Sequence, residues 1–115
     1  MSMSRMMLVR LEAGEVIEAE NYTQAHDIAR YLLGLRRDDP PQNCAHCGIS
    51  ELELGGLVSQ MHAALDWRNT PPERLRTDYK NCVFSIRPDL DYIALCASCN
   101  HKYDSNGWKP APPLG

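Results

Sequence analysis

Two cysteine pairs of the form Cys-x-x-Cys constrain this chain more than any other feature: Cys44/Cys47 and Cys96/Cys99. Two intervening residues let both sulfurs of a pair face one ion from a tight turn. Gly48, directly after the first pair, permits the positive φ that such a knuckle needs. The second pair, Cys96-Ala97-Ser98-Cys99, falls where a strand composition gives way to a helical one, so helix N-terminal amides point toward the thiolates and offset their charge. Four thiolates in two pairs make a tetrahedral site suited to structural Zn2+. A redox dithiol would explain one pair, but it prefers a βαβ setting that this sequence lacks. A buried free cysteine would explain any single thiol, but not two matched pairs. The fifth cysteine, Cys82, sits among Asn81, Val83 and Phe84 and reads as a small core residue. His46 lies inside the first knuckle, where space favours an outward or supporting role over ligation. The pairs are separated by 49 positions, from Cys47 to Cys96, wider than a compact ribbon needs, which implies an insertion between the two halves of the site.

At 115 residues the chain is one domain's worth, able to bury a modest core that a metal would help to hold. Its composition, 43% hydrophobic and 23% charged, is that of ordinary globular domains. No apolar run approaches the roughly 18–20 residues of a membrane helix, so no membrane partner is expected. The first residues lack the apolar stretch and cleavage site of a signal peptide. Together with the odd cysteine count, this predicts a cytoplasmic protein with reduced thiols. The net charge of −3, which four zinc-bound thiolates would make about two units more negative, weighs against strong non-specific binding to phosphate backbones.

The pattern predicts an α+β chain in three parts: an N-terminal strand-strand-helix extension over 1–41, a zinc module over 42–107 and an extended tail over 108–115, packed as one unit. Residues 6–20 read as two short strands about a turn at Ala13-Gly14. Asn21 or Thr23 can cap a following helix, whose apolar stripe is Ala25, Ile28, Ala29, Leu32 and Leu33. Ile28, Leu32 and Leu33 are expected to be buried. Gly34 suits the stop, and Arg36 and Arg37 suit the helix dipole. His26, off the stripe, reads as solvated. Asp38-Asp39-Pro40-Pro41 breaks the chain before the first knuckle. Leu57 to Trp67 reads as a strand running into a helix, Asn81 to Ile86 as a strand, and Asp91 to Leu95 as a strand delivering Cys96. A helix then runs from Cys99 to about Ser105 and ends near Asn106-Gly107.

The order CxxCG, a spacer, then Tyr92-Ile93-Ala94-Leu95-Cys96-Ala97-Ser98-Cys99-Asn100-His101-Lys102-Tyr103-Asp104 resembles the HNH, or ββα-metal, nucleases. It looks most like the short cysteine-bearing HNH proteins of bacteriophages, which implies a phage-encoded protein of the host cytoplasm. The likeness covers residues 43–105. It implies a treble-clef fold: a knuckle, a hairpin, and a helix carrying the second cysteine pair. It also implies a second metal, Mg2+ or Mn2+, facing the residues one and five places after the last cysteine. Here those are Asn100 and Asp104, and a spacing of four puts both on one helix face. Asp104 can ligate such an ion through oxygen, and Asn100 through its amide oxygen. His62, 15 positions after Cys47, stands as the base that activates water. The resemblance implies a metal ligand directly before that histidine and an asparagine five residues before the third cysteine. Met61 and Asp91 occupy those places, so the catalytic set is incomplete. Read without the resemblance, His62, His101 and Asp104 are ordinary polar surface residues.

Between Trp67 and Pro88 the basic residues Arg68, Arg74, Arg76, Lys80 and Arg87 outnumber Glu73 and Asp78, a surplus of +3, and Trp67 and Tyr79 are placed to stack on bases. The expectation is an HNH-like zinc protein that engages nucleic acid, with weak or degenerate metal-dependent endonuclease activity. The alternative is a non-catalytic zinc scaffold that binds and regulates a host or phage protein.

Overall fold

The computed structural model describes residues 5–35, 39–50 and 61–105, with the side chains of 102–105 outside the description. The chain enters as helix α1, Arg5–Glu12. This corrects the expected strand pair. The turn at Ala13-Gly14 was correctly placed, but it closes a helix rather than a hairpin. Gly14 adopts φ +82°, and the amides of Gly14 and Glu15 donate to the carbonyls of Leu11 and Arg10 at 3.0 Å each. That pair of bonds is the Schellman cap, available to a glycine in the left-handed region. Residues 5–12 are helix formers without branching at Cβ, with Val9 the exception. A helical turn also brings Met7 beneath the buried Leu11. The N-terminal unit is therefore helix-loop-helix.

Helix α2, Tyr22–Leu32, starts where Asn21 accepts the Gln24 amide at 2.8 Å, while Gln24 in turn accepts the Glu20 amide at 2.7 Å. It ends in a second Schellman cap: Gly34 at φ +71°, with the amides of Gly34 and Leu35 donating to Tyr31 and Arg30. Ala25, Ile28 and Ala29 are buried as the stripe requires, but Leu33 is half-buried and Leu32 is 44% exposed. The stripe is thus narrower than expected. Arg36, Arg37 and Asp38 lie outside the described residues.

Strands β1, Met61–Leu65, and β4, Tyr92–Cys96, pair antiparallel with Met61 opposite Cys96 and Leu65 opposite Tyr92. The helix expected toward the end of Leu57–Trp67 is instead this strand β1, and a turn at Trp67–Asn69 follows it. The Leu57–Gln60 part of that expectation lies outside the described residues. Within the insertion, Pro72–Arg74 forms one 3-10 turn. Strands β2, Leu75–Thr77, and β3, Val83–Ser85, then form a separate antiparallel pair. Helix α3, Ala97–Ser105, follows β4 without a break. The expected stop at Asn106-Gly107 and the tail over 108–115 lie outside the described residues.

Two carboxylates fasten the insertion to the rest. Asp91, 2% exposed, accepts Arg74 through both oxygens, Nη2 to Oδ1 at 2.7 Å and Nε to Oδ2 at 2.8 Å, and also accepts the Ser85 hydroxyl. Asp78 accepts the amides of Lys80 and Cys82 on one oxygen and of Tyr22, the first residue of α2, on the other at 3.0 Å. The Tyr22 amide leads in holding the Asp78 carboxyl below the ordinary aspartate range. Helix α2 packs against β1 and β3. Its Ala25 and Ala29 join a core that includes Met61, Ala63, Leu65, Phe84, Tyr92, Leu95 and three of the cysteines. On its other side, Ile28 closes a smaller cluster with Leu11 and Ile17.

Candidate metal centre and the adjoining cleft

The first knuckle folds as its glycine demands. Gly48 adopts φ +79° and its amide donates to the Cys44 carbonyl at 3.0 Å, while Asn43 and Ser50 form a single bridge that closes the loop. The Ala45 amide donates to the Ala94 carbonyl at 2.8 Å, docking the knuckle on β4. Cys96 ends β4 and Cys99 lies in the first turn of α3, so the second pair straddles the strand-helix junction the sequence suggested.

All four sulfurs, those of Cys44, Cys47, Cys96 and Cys99, lie within 4.8 Å of one another. The Cys47 and Cys96 sulfurs are 3.8 Å apart. A tetrahedral ion with metal–sulfur bonds of about 2.3 Å separates its ligands by about 3.8 Å, so the Cys47–Cys96 spacing is compatible with an S4 zinc site. It is nearly twice the length of a disulfide bond, about 2.05 Å, and all four thiols are free. Cys44, Cys96 and Cys99 are buried and Cys47 faces outward.

Backbone amides support the sulfurs: the Cys47 amide donates to the Cys44 sulfur at 3.5 Å, and the Cys99 amide to the Cys96 sulfur at 3.4 Å. For the Cys44 thiol, burial opposes ionisation, but the amides of Cys47, Cys96 and His46 outweigh it and bring its pKa down to about 6. Cys99 moves the opposite way, up to about 12, because it is buried and faces the other three cysteines. The two thiols move in opposite directions, and a cation among the sulfurs would favour the thiolate form of both. His46 Nδ1 lies 3.5 Å from the Cys99 sulfur, in the supporting position its sequence context suggested.

Beside this centre is a cleft of about 530 Å³ bounded by α2, β1, the β2–β3 turn and α3. His62 and Asn100 both line it, so two of the expected site residues converge. Asp104 lies in α3, with its side chain outside the description, and His101 is exposed as expected. Met61, immediately before His62, is 1% exposed and belongs to the core. Asp91 is absorbed by Arg74 and Ser85 and serves as a structural tie.

Three further cleft residues were not singled out from sequence as site residues. His26 is half-buried rather than solvated, and its ring stacks on Tyr22 with centroids 6.0 Å apart and 13° between planes. Their i, i+4 spacing was the available signal. Burial, reinforced by Arg30 and His62, lowers the His26 pKa from the ordinary histidine value, partly countered by Asp27. Cys82, expected in the core, is half-buried and lines the cleft beside Asn81. Asn81 itself adopts φ +61° in the β2–β3 turn.

The basic candidates fare unevenly. Arg74 is paired with Asp91, and Arg87 with Asp89 at 2.8 Å. Arg76 is exposed but donates to the carbonyls of Glu73 and Leu75. Lys80 stands 5.6 Å from the Tyr79 ring, and both are exposed. Arg68 is exposed. Including Asp89 and Asp91, just past the segment's end, cuts the surplus of +3 to +1.

No family model matches the chain, and no solved structure matches it. Over 99 residues the chain is 36% identical to the lysine-specific demethylase JMJ27 of Arabidopsis thaliana. The match takes in 84% of this chain and 11% of the demethylase, so the chain spans about a tenth of that relative's length. No helix among the described residues is long and apolar enough to cross a membrane.

Proposed function

We propose that the chain is a treble-clef zinc module in which Cys44, Cys47, Cys96 and Cys99 hold one structural Zn2+, and that the cleft beside it engages nucleic acid with catalysis degenerate. Bound there, the zinc would cross-link the knuckle to the β4–α3 junction. The observation that carries the nucleic-acid reading is the placement of His62 and Asn100 on one cleft next to the cysteine cluster. That is the relation an HNH-like protein, phage-encoded in this reading, would need between its water-activating base and its helix.

The degeneracy rests on the same residues. Metal-assisted cleavage needs an ion to stabilise charge on the phosphate and a base to activate water. Met61 supplies no hard ligand and is buried in the core. Asp91 is committed to Arg74. Asp104 is left as the carboxylate for Mg2+ or Mn2+, with Asn100 as its weak partner. The likeness to a tenth of a lysine demethylase supports a shared small module, and demethylation is not proposed for this chain.

A second reading has one observation in its favour. Leu32 on α2 and Met6 and Val9 on α1 are exposed apolar side chains, Met6 to 75%, which suits a zinc scaffold that binds another protein. Supercoiled plasmid and labelled single and double strands, tested at low salt with Mg2+ and with Mn2+, separate the two. The expected result is binding with weak or no cleavage, any residual cleavage being abolished by His62→Ala with zinc retained. A lost general base typically costs about 10²–10⁴ in rate. Robust wild-type cleavage would overturn the degenerate site. No binding to any nucleic acid would hand the assignment to the protein-partner reading.

A further inference from the structure

The cleft has a chemical character that the cysteine cluster does not account for. Its described lining mixes aromatic, polar and small aliphatic side chains, yet includes no lysine, arginine, aspartate or glutamate. A phosphate group would meet no cation there, and a hard divalent ion would meet no carboxylate among these side chains. The walls instead offer the Trp67 indole, the stacked Tyr22–His26 pair, the His62 imidazole and the amides of Asn81 and Asn100. Each amide presents one acceptor oxygen and two donor hydrogens, the combination that reads the edge of a heteroaromatic ring. A volume of about 530 Å³ falls within the range of about 300–1,000 Å³ typical of small-molecule sites. The burial that lowers the pKa of His26 disfavours a charged ring in the wall.

We infer that this cleft receives a single unpaired nucleobase, stacked on Trp67 and read along its edge by Asn81 and Asn100, with the strand's phosphates remaining outside. The inference deepens the nucleic-acid reading and rests on it. It names the substrate class as single-stranded or locally opened nucleic acid, because a base within a duplex presents neither its face nor its pairing edge. The two asparagines come from α3 and from the β2–β3 turn, so recognition spans the zinc module and its insertion.

The test uses the zinc-loaded full chain and amide NMR. Four nucleosides without phosphate are titrated first, followed by a tetranucleotide and its fully abasic counterpart. The expected result is saturable movement of the Ala63, Asn81 and Asn100 amides with at least one nucleoside. The abasic strand should bind roughly 5- to 100-fold more weakly than the intact one. Asn100→Ala should weaken nucleoside binding at unchanged zinc content. His62→Ala, a substitution at an exposed strand position, should do the same and guards against a helix disturbed by the first variant. Equal binding of intact and abasic strands, with the cleft amides unmoved, would overturn the inference while leaving nucleic-acid binding in place. Failure of both strands to bind would overturn both.

Discussion

Around the cysteines, the main core gathers Cys44, Met61, Leu95 and Cys99 from segments up to 55 positions apart, whereas the N-terminal cluster of Leu11, Ile17 and Ile28 closes within 17 positions. The short-range cluster has little loop entropy to overcome. Two glycine-capped helices and a short link bring its three side chains together. The long-range core must close the insertion as well as the knuckle, and the structure places four thiols at the closing point. Helix α2 belongs to both regions, with Ala25 and Ala29 facing one and Ile28 the other. The contrast shows where a small chain would gain most from a cross-link: at the closure that local capping cannot make.

Removing the metal should break the comparison most completely. Cys99→Ser should abolish stoichiometric zinc and unfold β1, β4 and α3. Structural zinc contributes on the order of 10 kcal/mol, comparable with the whole stability of a small domain. Near-UV circular dichroism from Trp67, which packs against the main core, reports the loss. A folded Cys99→Ser variant would mean that the long-range core stands without its staple.

A cut in the short-range cluster should be smaller and separable. Ile28 is 1% exposed, and Ile28→Ala should cost about 2–5 kcal/mol in urea unfolding while zinc content stays unchanged. Zinc loss in this variant would show that the two regions fold as one cooperative unit through α2. Leu32→Ala is the mildest change. At 44% exposure it should move stability by no more than about 0.5 kcal/mol. A cost above about 2 kcal/mol would reveal that this face is covered in solution and would favour the protein-partner reading.

What the sequence made legible follows the same division. The cysteine pairs, the Gly34 stop and the strand-helix junction at Cys96 are signalled by residues adjacent to the features they specify. The first helix was not legible, because a glycine at positive φ serves a hairpin and a helix cap equally well, and Met7, Leu8 and Val9 fit either period. Leu32 follows the apolar stripe, but how wide a face is covered depends on what packs against it. The pairing of Arg74 was hidden for a non-local reason. Asp91 takes up Arg74 across 17 positions, a pairing that no local pattern announces. The cleft is equally non-local, since Tyr22, His62, Asn81 and Asn100 meet only once α2, β1, the insertion and α3 are assembled.

Native mass spectrometry of the purified chain tests the central claim most directly. The account predicts one zinc ion per chain, retained under gentle conditions and released together with compact charge states when the four thiols are acidified or the ion is chelated. A compact chain at its metal-free mass, or one lighter by the hydrogens lost to disulfides among Cys44, Cys47, Cys96 and Cys99, would contradict it.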